Sequence, residues 1–181
     1  MRTLPLIAAA ALAAPLAFAQ PLDLAQSRIG FTLKQLNVPV DGKFKQFNAK
    51  VDFDPAKPQT GKADITISTA SIDLPTSDAN EEARKKDWFN VAQYPTARFI
   101  STSIKPLAAG RFQVAGKLTL KGVTRDVSVP FTSKAQNGLT VVEGMLPISR
   151  LTFKIGEGEW SDTGTVDETV QIKFRLALKG A

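Results

Sequence analysis

The chain has 181 residues, with 23 Lys and Arg against 17 Asp and Glu, a formal net charge of +6, and 43% hydrophobic residues. It contains neither His nor Cys, which excludes disulfides, serine triads using His, cysteine nucleophiles, zinc sites built on His or Cys, and haem held by either. The basic excess is dispersed without a basic block, so it reads as a solvated surface, or secondarily as weak attraction to anionic lipid headgroups, and nucleic acid is not an expected partner.

Residues 1–19 place Arg2 before a run of Leu, Ile and Ala and end in Ala17-Phe18-Ala19. A positive start, a short apolar centre and an A-x-A site predict an export leader cut before Gln20. Pro5 and Pro15 interrupt the run, which is shorter than the roughly 20 apolar residues that span a bilayer. Its removal leaves 22 basic against 17 acidic residues, a net charge of +5. Residues 20–181 are then one domain of about 160 residues, stabilised by its core alone.

Residues 28–36 alternate Ile29, Phe31 and Leu33 against Arg28, Thr32 and Lys34, a period of two with one buried face. Residues 40–53 form a second strand whose phase changes, with Phe44 on the even register and Phe47, Ala49, Val51 and Phe53 on the odd. Keeping both sets inside predicts a bulge or sharp bend at Lys45-Gln46. Asp54-Pro55-Ala56-Lys57-Pro58 then turns the chain into a third strand over 61–74, through Ala63, Ile65 and Ile67.

Residues 75–95 break the alternation. Asp78 followed by Glu81 resembles a capping box, and 79–86 predicts two helical turns with Glu81-Lys85 and Glu82-Lys86 pairs worth about 0.2–0.5 kcal/mol each. So short a helix needs tertiary contacts, which Trp88, Phe89, Val91 and Tyr94 are placed to supply. Two readings stand side by side: a flap with an aromatic foot over one end of the sheet, or an ordinary crossover between strands.

Residues 97–107 are a fourth strand anchored by Phe99. The most strongly patterned stretch is 110–131. Phe112, Val114, Gly116, Leu118 and Leu120 share one side of a fifth strand, Lys121-Gly122 turns, and Val123, Val127, Val129 and Phe131 carry the apolar face of a sixth. Asn137-Gly138 signals another hairpin, into a seventh strand over 139–148. Residues 156–164 are a polar loop with Trp160 isolated in it, and 169–178 alternate Val170, Ile172, Phe174, Leu176 and Leu178 as an eighth strand.

Eight long strands predict an all-β, antiparallel barrel with a short helical insertion between strands 3 and 4, because closure removes exposed edges. The inward set is Phe, Ile, Leu, Val and Ala, so the occupant of any cavity is mostly hydrocarbon; the alternative is a filled core that serves structure or partner binding without a ligand. Catalytic chemistry is not expected. Gly156-Glu157-Gly158 lacks the remaining glycine of a dinucleotide loop, and Glu157, Glu159 and Asp162 read as solvated loop carboxylates rather than paired acids or a calcium site.

Short matches run in order along nearly all of 20–181: Ile29-Gly30-Phe31; Gly42-Lys43-Phe44 through Phe47 with Val51-Asp52-Phe53-Asp54; Ala70-Ser71-Ile72; Asp87-Trp88-Phe89; Tyr94-Pro95-Thr96-Ala97-Arg98-Phe99; Gly116 to Thr124; and Arg150 with Phe153 and Ile155-Gly156. On these the chain resembles the YceI-like family of exported lipid-binding proteins, which implies an eight-stranded lipocalin-like barrel around a polyisoprenoid chain. The resemblance implies noncovalent binding of a long isoprenoid lipid, a polyprenyl compound or an isoprenoid quinone, in the periplasm of a Gram-negative bacterium, for storage, transport or protection, with no catalytic cofactor. The implied lining is Phe31, Leu33, Phe44, Phe47, Ile65, Trp88, Phe89, Phe99, Leu118, Leu120, Phe131, Phe174 and Leu176. Beside the hydrophobic ligand, a transient inner-membrane or membrane redox partner and a homodimer are the protein associations left open. Many relatives carry Arg-Asp-x-His-Leu where this chain has Ala79-Asn80-Glu81-Glu82-Ala83, and Lys154 stands where Gly is common. Glu82 at the His position would repel a phosphate head, and Asp87-Trp88-Phe89 resembles a subgroup associated with membrane redox proteins; both favour a neutral quinone or another weakly polar isoprenoid.

Overall fold

The computed structural model describes residues 19–180, so the expected leader, apart from Ala19, lies outside the described residues. The strands are β1 (Arg28–Gln35), β2 (Val38–Phe44), β3 (Phe47–Asp52), β4 (Lys62–Ser68), β5 (Ile72–Asp73), β6 (Thr96–Ala108), β7 (Arg111–Leu120), β8 (Val123–Gln136), β9 (Leu139–Ser149) and β10 (Thr169–Lys179), with helix α1 (Ser77–Arg84) between β5 and β6. They form one antiparallel sheet in the order β3-β4-β6-β7-β8-β9-β10-β1-β2-β5. Periodicity predicts eight strands in a closed barrel; the sheet has ten and is open, a half-barrel with β3 and β5 at its ends.

The difference comes from two corners. The predicted second strand parts at Lys45-Gln46, where its phase changes, so β2 pairs with β1 and β5 while β3 pairs with β4. The predicted third strand parts likewise at a 3-10 turn over Thr69–Ser71. The corners meet: Lys45 N–H donates to Ser71 O, Ser68 N–H to Gln46 O and Gln46 N–H to Ser71 Oγ, each at 3.0 Å. Irregular bonds therefore hold the sheet's ends together where no ladder runs. The predicted hairpins at Lys121-Gly122 and Asn137-Gly138 are present, joining β7 to β8 and β8 to β9.

Helix α1 begins two residues earlier than predicted. Thr76, not Asp78, is its N-cap, because Thr76 Oγ1 accepts from Ala79 N–H at 3.2 Å. The predicted Glu81-Lys85 and Glu82-Lys86 pairs are replaced by Glu82–Lys85 at 2.7 Å. The tertiary contacts so short a helix requires are polar as well as aromatic. Asn80 Oδ1 accepts from Leu74 N–H at 2.8 Å, and Arg84 Nε donates to Ala70 O at 3.1 Å, tying α1 to the second corner. Phe89, in the segment after α1, meets Phe44 of β2 edge-on at 5.9 Å.

After β9 the chain runs through residues 150–168 over the same end of the sheet, and Arg150 organises it. Arg150 is 1% exposed. Its Nε donates to Asp167 O at 3.0 Å, Nη1 to Ile155 O and Gly156 O at 3.1 Å, and Nη2 to Trp160 O and Val166 O at 2.7 Å. Those acceptors match the five donors of a guanidinium. Burial pulls its pKa down from the ordinary value, and the charge of Glu168 opposes the shift. Gly156, at φ +81°, is required here: a Cβ would lie 2.1 Å from Arg150 Nη1.

A second buried cation, Lys121, holds the neighbouring part of the loop. Its Nζ donates to Lys154 O at 2.7 Å and to Glu157 Oε2 at 2.8 Å. This hydrogen bond lowers the Glu157 pKa from its ordinary 4.5.

Arg150→Lys keeps a charge but loses the planar fork, and should lower stability by at least about 3 kcal/mol in urea unfolding. Gly156→Ala should cost a similar amount, and the double variant less than the sum, since both act on one contact; additive losses would show separate roles. The Glu157 carboxylate has a depressed folded pKa, so its contribution is present above pH 4.5 and lost as pH falls through the folded value. Half-exposed, it is worth at most about 1 kcal/mol. Glu157→Gln should therefore flatten the stability profile between about pH 5 and 3, measured by urea midpoints, and an unchanged slope would remove the pair from the account.

Candidate functional site

The concave side of the sheet encloses a cavity of about 580 Å³. Strand alternation explains its lining, because every second residue of a strand points to the same face. Phe31 and Leu33 of β1, Phe44 of β2, Ile65 of β4, Phe99 of β6, Leu118 and Leu120 of β7, Phe131 of β8, and Phe174 and Leu176 of β10 all line it. Trp88 and Phe89 join them from the segment after α1. The structure thus brings together every predicted lining residue except Phe47. Phe47 shares the inward face, opposite the lining residue Ile67, but packs half-buried against the core cluster and does not itself line the cavity. A completely filled core does not describe this interior.

The far end is shut by aromatic packing. Phe53 meets Phe112 at 5.1 Å and Phe131 at 5.3 Å, both edge-on. The lining residues exposed to solvent are Gln35, Thr76 and Asp78, which put the mouth between the end of β1 and the start of α1.

Polar groups are few and gather near the mouth. Glu82 lines the cavity, and its Oε1 accepts from Trp160 Nε1 at 3.1 Å while Oε2 pairs with Lys85. Trp160 stands 5.5 Å from Trp88, and the Arg150 guanidinium lies 5.6 Å from the centre of the Trp88 ring. Trp88 Nε1 is buried without a hydrogen-bond partner, which costs about 1–3 kcal/mol and shows that Trp88 is held by its ring faces. Asp87 O accepts from the backbone N–H groups of both Gly156 and Glu157 at 2.8 Å. The Asp87-Trp88-Phe89 triplet is thereby explained by loop anchoring and cavity lining.

Arg150 and Trp160 are the residues that pattern reasoning missed. Trp160 reads as isolated in a polar loop, and its partner Glu82 is 78 residues away. Arg150 enters only as one match in a family pattern, since backbone carbonyls, its actual partners, leave no trace in composition. Among the described residues no group of three or more His, Cys, Asp or Glu could hold a metal ion, and no helix is long and apolar enough to cross a membrane.

Comparison with known proteins gives the same fold. Crystalline BcnA from Burkholderia cenocepacia is 44% identical, with a TM-score of 0.86 over 88% of this chain and 100% of that one. A domain from Saccharophagus degradans, described as polyisoprenoid binding and implicated in plant cell wall breakdown, is 18% identical with a TM-score of 0.70, covering 91% of this chain and 99% of that one; at that identity it shows the fold alone. A UPF0312 protein of Ectopseudomonas mendocina (strain ymp) is 40% identical over 88 residues, 49% of this chain and 46% of that protein. Another, from Shewanella denitrificans, is 36% identical over 124 residues, 68% of this chain and 61% of that protein. The match to this chain thus spans about half to three-fifths of the length of these curated relatives. The model of the YceI-like domain matches residues 21–178, and with that coverage the chain belongs to the YceI-like domain family.

Proposed function

We propose that this protein binds a long-chain isoprenoid lipid noncovalently in its half-barrel, as an isoprenoid quinone or a polyprenyl compound, for storage, transport or protection in the periplasm. The observation that carries the reading is the cavity: about 580 Å³, apolar through its depth and polar only near its mouth. That volume lies within the range of small-molecule sites. Burying roughly 500 Å² of isoprenoid surface at about 25 cal/mol/Å² is worth on the order of 12 kcal/mol before ordering costs. Hydrocarbon burial can therefore retain the lipid without an ion pair. The description of the Saccharophagus degradans domain as polyisoprenoid binding supports the same class of ligand. The leader at 1–19, with cleavage near Ala19, supports export, and 20–181 is the lipid-binding unit.

Glu82 supports a neutral head. It lines the mouth and is fixed there by Trp160 and Lys85, so a phosphate entering would meet a carboxylate whose charge Lys85 only partly offsets.

Ala63→Phe tests occupancy directly. Ala63 lines the cavity opposite Val51, so the added ring fills ligand space. Geranylgeraniol binding measured by calorimetry should weaken at least tenfold while the melting temperature stays within a few degrees; unchanged affinity would place the ligand elsewhere. Glu82→Gln keeps an acceptor for Trp160 and removes the charge. Affinity for geranylgeranyl phosphate should rise about three- to tenfold relative to geranylgeraniol at low salt, with the difference shrinking in 0.5 M salt. An unchanged ratio at low salt would remove the argument for a neutral head.

A further inference from the structure

The hairpin joining β1 to β2 carries an apolar stripe out of the cavity and into solvent. Leu33 pairs with Val40, and Gln35 with Val38, so Phe44, Gly42, Val40 and Val38 share the inward face of β2. Phe44 and Val40 line the cavity. The Phe31 ring fills the place of the missing Gly42 side chain, where a Cβ would lie 2.3 Å from it. Val38, the last of the stripe, has passed the rim and is 61% exposed, beside Leu36 at 67%.

The tip is also costly in its own conformation. Leu36 and Asn37 have φ of +50° and +66°, the left-handed pair of a tight hairpin turn in which Asn or Gly is favoured and Leu is not. Leu36 N–H donates to Thr165 O at 2.9 Å, and Gln35 bridges to Val166, which also lines the cavity. The tip is therefore braced against the loop that Arg150 organises. A strained, braced and exposed Leu at the rim needs an explanation beyond folding. Leu24 and Leu107, also exposed, lie at the opposite end, before β1 and at the end of β6.

We infer that the Leu36–Val38 tip docks transiently on a phospholipid bilayer, so that an isoprenoid passes along the Val38–Val40–Phe44 stripe into the cavity without crossing water. The inference rests on the isoprenoid reading of the cavity. Two short side chains offer less hydrocarbon than one acyl anchor, which itself binds only marginally and reversibly, so the contact is brief and suits collection or delivery. Charge near the mouth is mixed, Asp78 and Glu82 against Lys34 and Lys85, so docking follows hydrocarbon and not anionic headgroups.

The test is Leu36→Asn with Val38→Thr in the mature chain. Asn suits the left-handed turn and Thr keeps the β-branch, so the melting temperature should hold or rise. Flotation with phosphatidylcholine vesicles should fall on the order of tenfold, and uptake of a fluorescent geranylgeraniol from those vesicles should slow in parallel. Affinity for the same probe added from ethanol should not change. Wild-type flotation and uptake in the variant would overturn the proposal, as would association that requires anionic lipid or a loss confined to self-association or protein capture. If neither chain binds the probe by either route while flotation still depends on the tip, the docking surface stands and the cavity reading fails.

Discussion

The structure depends on one buried cation satisfied by backbone. Arg150 has no carboxylate on its guanidinium; it has the carbonyls of Ile155, Gly156, Trp160, Val166 and Asp167 and the face of Trp88. A loop buried at the end of a sheet would otherwise leave those carbonyls unpaired, each at a cost of about 1–3 kcal/mol. The arginine solves the loop's hydrogen-bonding problem, and the loop solves the arginine's desolvation problem. Removing either partner leaves the other buried and unsatisfied, which is why Gly156 must lack a side chain.

That arrangement lets the sheet keep an interior it does not fill. A cavity of about 580 Å³ is far larger than the roughly water-sized voids of an ordinary packed core, which separates this interior from an imperfectly packed one. Stability is concentrated elsewhere, in the Phe53, Phe112 and Phe131 cluster at the shut end and in the paired ladders. The chain is solid at one end, hollow in the middle and stitched at the other.

Most of this was legible where one interaction repeats along the chain. Alternation located the strands, and it found nearly all of the lining because inward-facing and cavity-facing are the same property in a curved sheet. It failed at the corners. The phase change at Lys45-Gln46 was visible, yet a bulge and a strand break share that signature, and only the partner strands decide between them. Over 61–74 there was no signal at all, since Thr69 breaks the strand by bonding to Tyr94 O and Pro95 O, distant in sequence. Phe47 lies on the inward face that alternation assigns it, but it packs against the core cluster instead of lining the cavity, a distinction that a period of two does not carry. Arg150, Trp160 and the Thr76 cap lay beyond pattern reasoning because each is defined by one specific partner and not by a period.

The division between polar stitching and apolar lining bears on how such a site can load. If its cover were held only by apolar contacts across the cavity, cargo and cover would compete for one surface, and binding would have to displace the lid. Here the segments over the cavity are held by Arg150, by Asp87 O, by Lys121 and by Asn80, all through hydrogen bonds that hydrocarbon cannot replace. Trp88 and Phe89 add apolar surface to the lining without carrying the anchoring alone. The cover can therefore stay folded while cargo enters from the side, where β1, β2 and α1 leave the exposed rim of Gln35, Thr76 and Asp78. On the proposed reading, entry at that rim uses surface already open and brings the hydrocarbon past the β1–β2 hairpin, whose apolar stripe continues outside.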